Sequence, residues 1–496
     1  MWTMDGFAHL AHSSSPLRPM MKNRTKFTGA ALAGAVLIGG LIWNWNRPST
    51  SYLGPAASGE TPQANLRLLS PGILSIALRS GFTQASGLSL QGDGTIVVGA
   101  TSWSPSLPAR EGSRAVVLRM TSNGRLANPA VTLITDTPAS VSGVTTARDG
   151  KSMVYGSSKG QNGHFLLARL MPDGALDPAF GNGGAVLANM KSSMWLGDHA
   201  QAVAIQDDGK IVATGGAGYV PGPLALAGYC ATARFNRDSR FDRNFGDNGR
   251  LLTSVERKQF CSATSVLVAP DGKIVVVGHY HAEHEPSHIV IFRYLPDGTP
   301  DRQFGRDGIA QLLKISAIAW GGAAFDAQGR IVVVGTEEVG PTNWRFLVVR
   351  LDPNGTLDQS FGTDGIASLV GGSFSQELVA VALQRDGKIV AVGKNGWHGG
   401  VRPAEPGKRD ETVVTRLDAN GALDQSFAGG GLLMMSSPRY LWSARAIAIQ
   451  PDGKMLIAGS FVDDANDRAT SAIVLLRLNP DGTPDADFGS GVSITE

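Results

Sequence analysis

Four of the nine histidines fall within ten residues, at His279, His281, His284 and His288, with Glu283 and Glu285 among them. Imidazole and carboxylate groups at this spacing converge on a divalent transition metal such as zinc, nickel or copper when a loop folds back on itself. The plainer reading is a solvated polar loop, since His284-Glu285-Pro286-Ser287-His288 has the letters of a His-Glu-x-x-His metal site but no helix to carry them. No other cofactor is expected. A second candidate set is aromatic: Trp103, Trp195, Trp344, Trp397, Trp442 and Tyr280, with Trp320, Tyr219 and Tyr440 in comparable places. Exposed indole and phenol rings supply flat apolar area with a hydrogen-bonding tip, suited to a protein hot spot or the face of a sugar. Against this stands simple burial, the usual fate of large apolar side chains. Gly156-Ser157-Ser158-Lys159-Gly160 has the letters of a nucleophile elbow. That device needs a strand-to-helix turn, and no helical pattern follows here. Six recurring aspartates, Asp177, Asp242, Asp301, Asp358, Asp424 and Asp485, stand singly after turns. A calcium loop alternates several oxygen ligands, so a lone aspartate reads as a turn cap.

The elements that must position these groups are set by a repeat of about sixty residues. The glycine of its first turn recurs at Gly94, Gly150, Gly209, Gly272, Gly329, Gly387 and Gly453. A fixed period of this kind marks units that bury their cores only against neighbours. Within a unit, Ala-Val-Ala-Ile-Gln (202–206), Asp207-Asp208-Gly209-Lys210 and Ile211-Val212-Ala213 form a hairpin signal, because Asp-Gly supplies positive φ. The second run is continuously β-branched, as in Ile274-Val275-Val276-Val277, which suits a strand covered on both faces. A third run, such as Phe346 to Leu351, leads into Asp352-Pro353-Asn354-Gly355, and a fourth run follows a Phe-Gly element. Four antiparallel strands per unit and seven units give an all-β, seven-bladed β-propeller, whose closure protects the strand edges. Fourth-strand segments number eight, including 72–78 and 491–496, against seven hairpins. One terminal segment is therefore surplus and staples the first blade to the last.

The pairing of Asp-Gly-Lys-Ile-Val-Val-x-Gly with Arg-Leu-x-Pro-Asp-Gly-x-x-Asp-x-x-Phe-Gly resembles the delta-60 repeat family of bacterial β-propeller domains, over residues 72 to 496. The layout is also similar to propellers of the NHL type. The resemblance implies a propeller in an exported bacterial setting, with no reaction and no catalytic residues to transfer. Two units depart from the pattern. Residues 123–128 (Asn-Gly-Arg-Leu-Ala-Asn) lack the later aspartate and the Phe-Gly, and Asp238-Ser239 replaces the second turn glycine of the third unit.

Residues 27–43 carry no charge across seventeen positions, the minimum for a membrane-spanning helix. Arg18, Lys22, Arg24 and Lys26 precede this run and only Arg47 follows closely, so basic residues 1–26 stay cytoplasmic and the repeats are exported. A cleaved signal peptide is the competing reading. Residues 44–64 then form a polar linker and 65–496 the propeller. A net charge of +2 gives no global field for nucleic acid. Cys230 and Cys261 either pair as one disulfide or stay as two buried thiols.

In a four-stranded blade the loop joining strands two and three lies on the same face as the crossover to the next blade. Both glycine turns lie on the opposite face. Length varies mainly in the former loops, at 101–113, 214–228, 279–288, 394–412 and 460–470. Variable loops on a rigid scaffold carry binding function. The sequence therefore leads to a membrane-anchored periplasmic propeller, or a secreted one if the signal is cleaved, that binds an envelope protein or glycan. Its rivals are a metal-dependent hydrolase or lyase at the channel mouth and a purely structural envelope module.

Overall fold

The second strand of each repeat shows most directly how residue type dictates the architecture. In the computed structural model, Ile274 and Val276 enter the core shared with one neighbouring blade, and Val275 and Val277 enter the core shared with the other. A strand buried on both faces has no polar side, which is why its β-branched residues run without alternation. The structure describes residues 50–51, 63–78, 81–104, 112–159, 163–190, 197–218, 228–255, 260–281, 286–313, 316–318, 321–340, 343–370, 375–396, 411–436, 440–463, 470–490 and 492. The proposed membrane segment, 27–43, lies outside them.

The described chain forms seven antiparallel sheets. Their innermost strands are Phe82–Leu90, Ala139–Thr146, His199–Ile205, Phe260–Val268, the broken pair Ala317–Ile318 and Ala323–Phe325, Ser375–Leu383 and Tyr440–Ile449. Seven apolar clusters lie between successive blades, each built from two neighbours. No blade owns a complete core. The terminal segment that closes the ring is the N-terminal one. Ile73–Leu78 pairs with Thr470–Leu478 as the fourth strand of the seventh blade, and Ala64–Ser70 adds a fifth. The linker is not wholly unpaired, since Thr50–Ser51 extends the outer edge of the second blade. Cys230 and Cys261 form a disulfide joining the third and fourth blades.

On the glycine-turn face the same side-chain assembly recurs. Each of the six aspartates caps its turn with Oδ1, as between Asp358 and the Ser360 N–H at 2.9 Å. The other oxygen accepts from the arginine eight residues earlier. Arg350 Nε reaches Asp358 Oδ2 at 2.7 Å, and Arg477 Nε reaches Asp485 Oδ2 at 2.6 Å. The cation of the first turn joins them, Lys388 at 3.0 Å from Asp424 and Arg330 at 3.0 Å from Asp358. The guanidinium lies over the phenylalanine of the Phe-Gly element, 4.5 Å from the Phe361 centroid for Arg350. Its remaining nitrogen donates to a turn carbonyl of the next blade, such as Ala419 O for Arg350 and Ser122 O for Arg477. The last of these bonds joins blade seven to blade one, so the clasp runs round the ring.

The two irregular units follow from this assembly. Ala127 occupies the aspartate position of the first blade, and the buried Arg119 Nε is left without a hydrogen-bond partner. In the third blade Ser239 takes up the glycine's role at φ 74°, an uncommon conformation for a residue with a Cβ.

Candidate functional site

Each innermost strand is irregular at the same level. Six carry a register shift opposite the second strand, at Ala85/Gly87, Val141/Gly143, Ala200/Ala202, Ala263/Ser265, Leu378/Ala380 and Ala444/Ala446. The fifth blade's strand is broken between Ile318 and Ala323. A β-bulge inserts one residue that finds no ladder partner and turns it out of the sheet. Here the inserted residues, Ser86, Ser142, Gln201, Thr264, Val379 and Arg445, together with Gly321 of the broken strand, line one cavity of about 560 Å³. A cavity touched by all seven innermost strands sits on the ring axis.

The bulge explains the glycine that closes each Ile-Val-Val-x-Gly motif. It drives the carbonyl two residues earlier against the second strand. A Cβ on Gly393 would lie 1.8 Å from Glu377 O, and one on Gly156 would lie 1.9 Å from Ser140 O. Glycine makes that approach in blades two, three, four, six and seven, while blade one carries Ala100 beside its own bulge.

A second pocket of about 410 Å³ opens between blades two and three and shares Ser142 and Gln201 with the axial cavity. Ser140, Ser157, Ser158, Lys159, Asp198 and His199 complete its polar walls. The Ser140 and Ser157 hydroxyls lie 3.2 Å apart, and Ser158 Oγ accepts from the His164 N–H at 3.0 Å. Asp198 Oδ2 accepts from the Met190 N–H at 2.8 Å. Burial lowers the His199 pKa, and the nearby Lys159 cation lowers it further, so the imidazole is neutral at neutral pH. In the axial cavity Glu377 Oε1 lies 3.6 Å from Lys394 Nζ, while Arg445 is exposed. Burial pushes the Tyr155 phenol to about 12, so this wall of the cavity carries a neutral hydroxyl. Hydroxyl, amide and cationic groups dominate the lining, an arrangement that hydrogen-bonds a polar ligand.

The residues singled out by sequence are dispersed. Trp442 is buried between blades six and seven, and Tyr280 between blades three and four, its hydroxyl 3.0 Å from Gln311 Nε2. Trp103 is half-buried and stacks on Phe82, with centroids 5.5 Å apart. Trp344 is half-buried and paired in register with Glu338. Trp195, Trp397 and His284 lie outside the described residues. His279 and His281 share one face of their strand and pack near Phe260, at 6.2 and 5.0 Å between centroids. His288, in register with Tyr280, lies beside that ring on the other face, at 5.8 Å. Among the described residues no group of three or more potential ligands is placed to hold a metal ion. Gly156-Ser157-Ser158 ends a strand, and its serines line the second pocket rather than an elbow. The bulge residues escaped the sequence reading. The motif glycine was their one indirect signal.

With this geometry in view, the sequence can be set against known proteins. Four of its segments match a β-propeller domain of unknown function. They are residues 147–180, 269–304, 328–361 and 450–488, and the family is the DUF5122 beta-propeller. No curated protein matches the chain. Among solved structures it is similar to a protein of unknown function from Dyadobacter fermentans, at 12% identity and a TM-score of 0.42, covering 87% of this chain and 98% of that one. It is similar also to the polysaccharide lyase Uly1, at 7% identity and 0.45, covering 80% and 90%. Puromycin hydrolase follows at 17% identity and 0.43, covering 79% of this chain and 53% of that one. Likeness at this level brings no reaction or ligand to this chain.

Proposed function

We propose that the chain is an exported, membrane-anchored propeller that works as a binding scaffold, taking an envelope protein or glycan on the face where the axial cavity meets the variable loops. The asymmetry of the two faces carries this reading. The glycine-turn face repeats one clasp from blade to blade, whereas the inserted residues on the axis differ at nearly every blade: serine, serine, glutamine, threonine, glycine, valine and arginine. A scaffold needs sameness where blades join and difference where a ligand is read.

Ser142 borders both cavities. Replacing Ser142 with Trp fills their junction without touching the clasp. The full-length protein and its Ser142→Trp variant, matched for melting temperature, are exposed to an envelope extract, and bound proteins and glycans are identified by mass spectrometry. The scaffold reading expects a species retained by the wild type and lost from the variant. Equal retention by both proteins, or none by either, overturns it.

A further inference from the structure

Resting on the binding-scaffold reading, we propose that the ligand is a carboxylate-bearing oligosaccharide, lodged in the pocket between blades two and three and extending into the axial cavity, with Lys159 and Arg445 reading its charge. Three observations carry this. First, the walls of this pocket present Ser140, Ser142, Ser157, Ser158 and Gln201, short hydroxyl and amide groups that match the alternating donors and acceptors of sugar hydroxyls. Second, cations outnumber anions. Lys159, Lys394 and Arg445 face these cavities with Asp198 and Glu377. Both carboxylates are engaged within the protein, Asp198 with the Met190 N–H and Glu377 with Lys394. Lys159 and Arg445 are exposed, and an incoming carboxylate pairs with them at little desolvation cost. Third, the stacked Phe82 and Trp103 rings stand where the first strand of blade one begins and the second ends, at the same end of their blade as Ser157 and Ser158 of blade two. Such a platform accepts the C–H face of a pyranose.

The test is isothermal titration of the full-length protein in detergent with four probes: a galacturonate tetramer, a glucuronate tetramer, the carboxyl-reduced neutral form of the galacturonate tetramer, and a polyglutamate peptide. The inference expects at least one uronate tetramer to bind tenfold or more tightly than the neutral tetramer and the peptide. Lys159→Gln and Arg445→Gln should each weaken that binding about five- to tenfold, and raising the salt should weaken it further. Arg148→Gln, an exposed charge on the glycine-turn face, should leave it unchanged. Equal binding of the neutral tetramer, or insensitivity to both charge variants, overturns the acidic-sugar inference and leaves the scaffold reading standing. Preferential binding of polyglutamate replaces saccharide with an acidic peptide. No binding of either uronate overturns the inference, and the Ser142→Trp capture experiment then decides the scaffold reading alone.

Discussion

The two faces of this propeller are made from the same seven repeats and obey different rules. On the glycine-turn face an arginine locks each blade to the next, and in six blades it pairs with an aspartate and a cation from the first turn and lies over a phenylalanine. On the axis and the opposite loops the repeated feature is a backbone bulge, and the side chain it presents changes from blade to blade. Substitutions on the first face should therefore act on stability and substitutions on the second on binding.

The sharpest way to break that division is to cut a clasp. The Arg350 and Asp358 side chains are 3% and 8% exposed. Arg350→Met leaves Asp358 with Arg330 as its remaining cation and should cost about 1.5–3 kcal/mol in chemical denaturation, with ligand affinity preserved at temperatures where the protein stays folded. Next is the covalent link between blades three and four. Converting Cys230 and Cys261 to alanine removes a cross-link spanning 31 residues and should cost about 3 kcal/mol. Gly393→Ala tests the bulge itself, because its Cβ would meet Glu377 O at 1.8 Å. A cost of about 1–3 kcal/mol is expected, together with altered ligand binding as the inserted Val379 shifts.

A smaller effect appears in the pH dependence. Burial opposes ionisation of Asp358, but the Ser360 hydroxyl and N–H and the Arg350 guanidinium outweigh it and hold the pKa down at about 2. A depressed carboxylate pKa means that its stabilisation is complete above the ordinary value of 3.8 and is lost as pH falls toward 2. Urea midpoints followed from pH 6 to pH 2 should fall, and Asp358→Asn should flatten part of that slope. Least of all, Arg445→Gln on the axis should change stability by no more than about 0.5 kcal/mol, as exposed positions usually do.

The blades and their turn-capping aspartates were largely legible in the sequence because they depend on local signals. Asp-Gly turns fix positive φ, and a run such as Ile274 to Val277 announces two covered faces. The surplus outer segment was legible as a count, and pairing then showed Ile73–Leu78 to be the closing strand. The axial site was not legible. A bulge is a property of pairing, one strand carrying a residue that its partner does not match, and nothing in Leu378-Val379-Ala380 alone reveals it. Nor could the sequence separate Trp442, buried between blades, from Trp103, half-buried against Phe82. An aromatic at the end of a strand looks the same in either setting. The second oxygen of each aspartate was missed for a similar reason, because its arginine partner lies eight residues back, across a turn.

The most direct test of this division measures melting temperature and uronate-tetramer affinity on the same full-length samples of Arg350→Met, Arg445→Gln and Lys159→Gln. The expected result is a crossed pattern: Arg350→Met melts well below the wild type yet binds normally when folded, while the other two melt with the wild type and bind about five- to tenfold more weakly. Equal losses of binding in all three, or a binding loss confined to Arg350→Met, would contradict the separation of a joining face from a reading face.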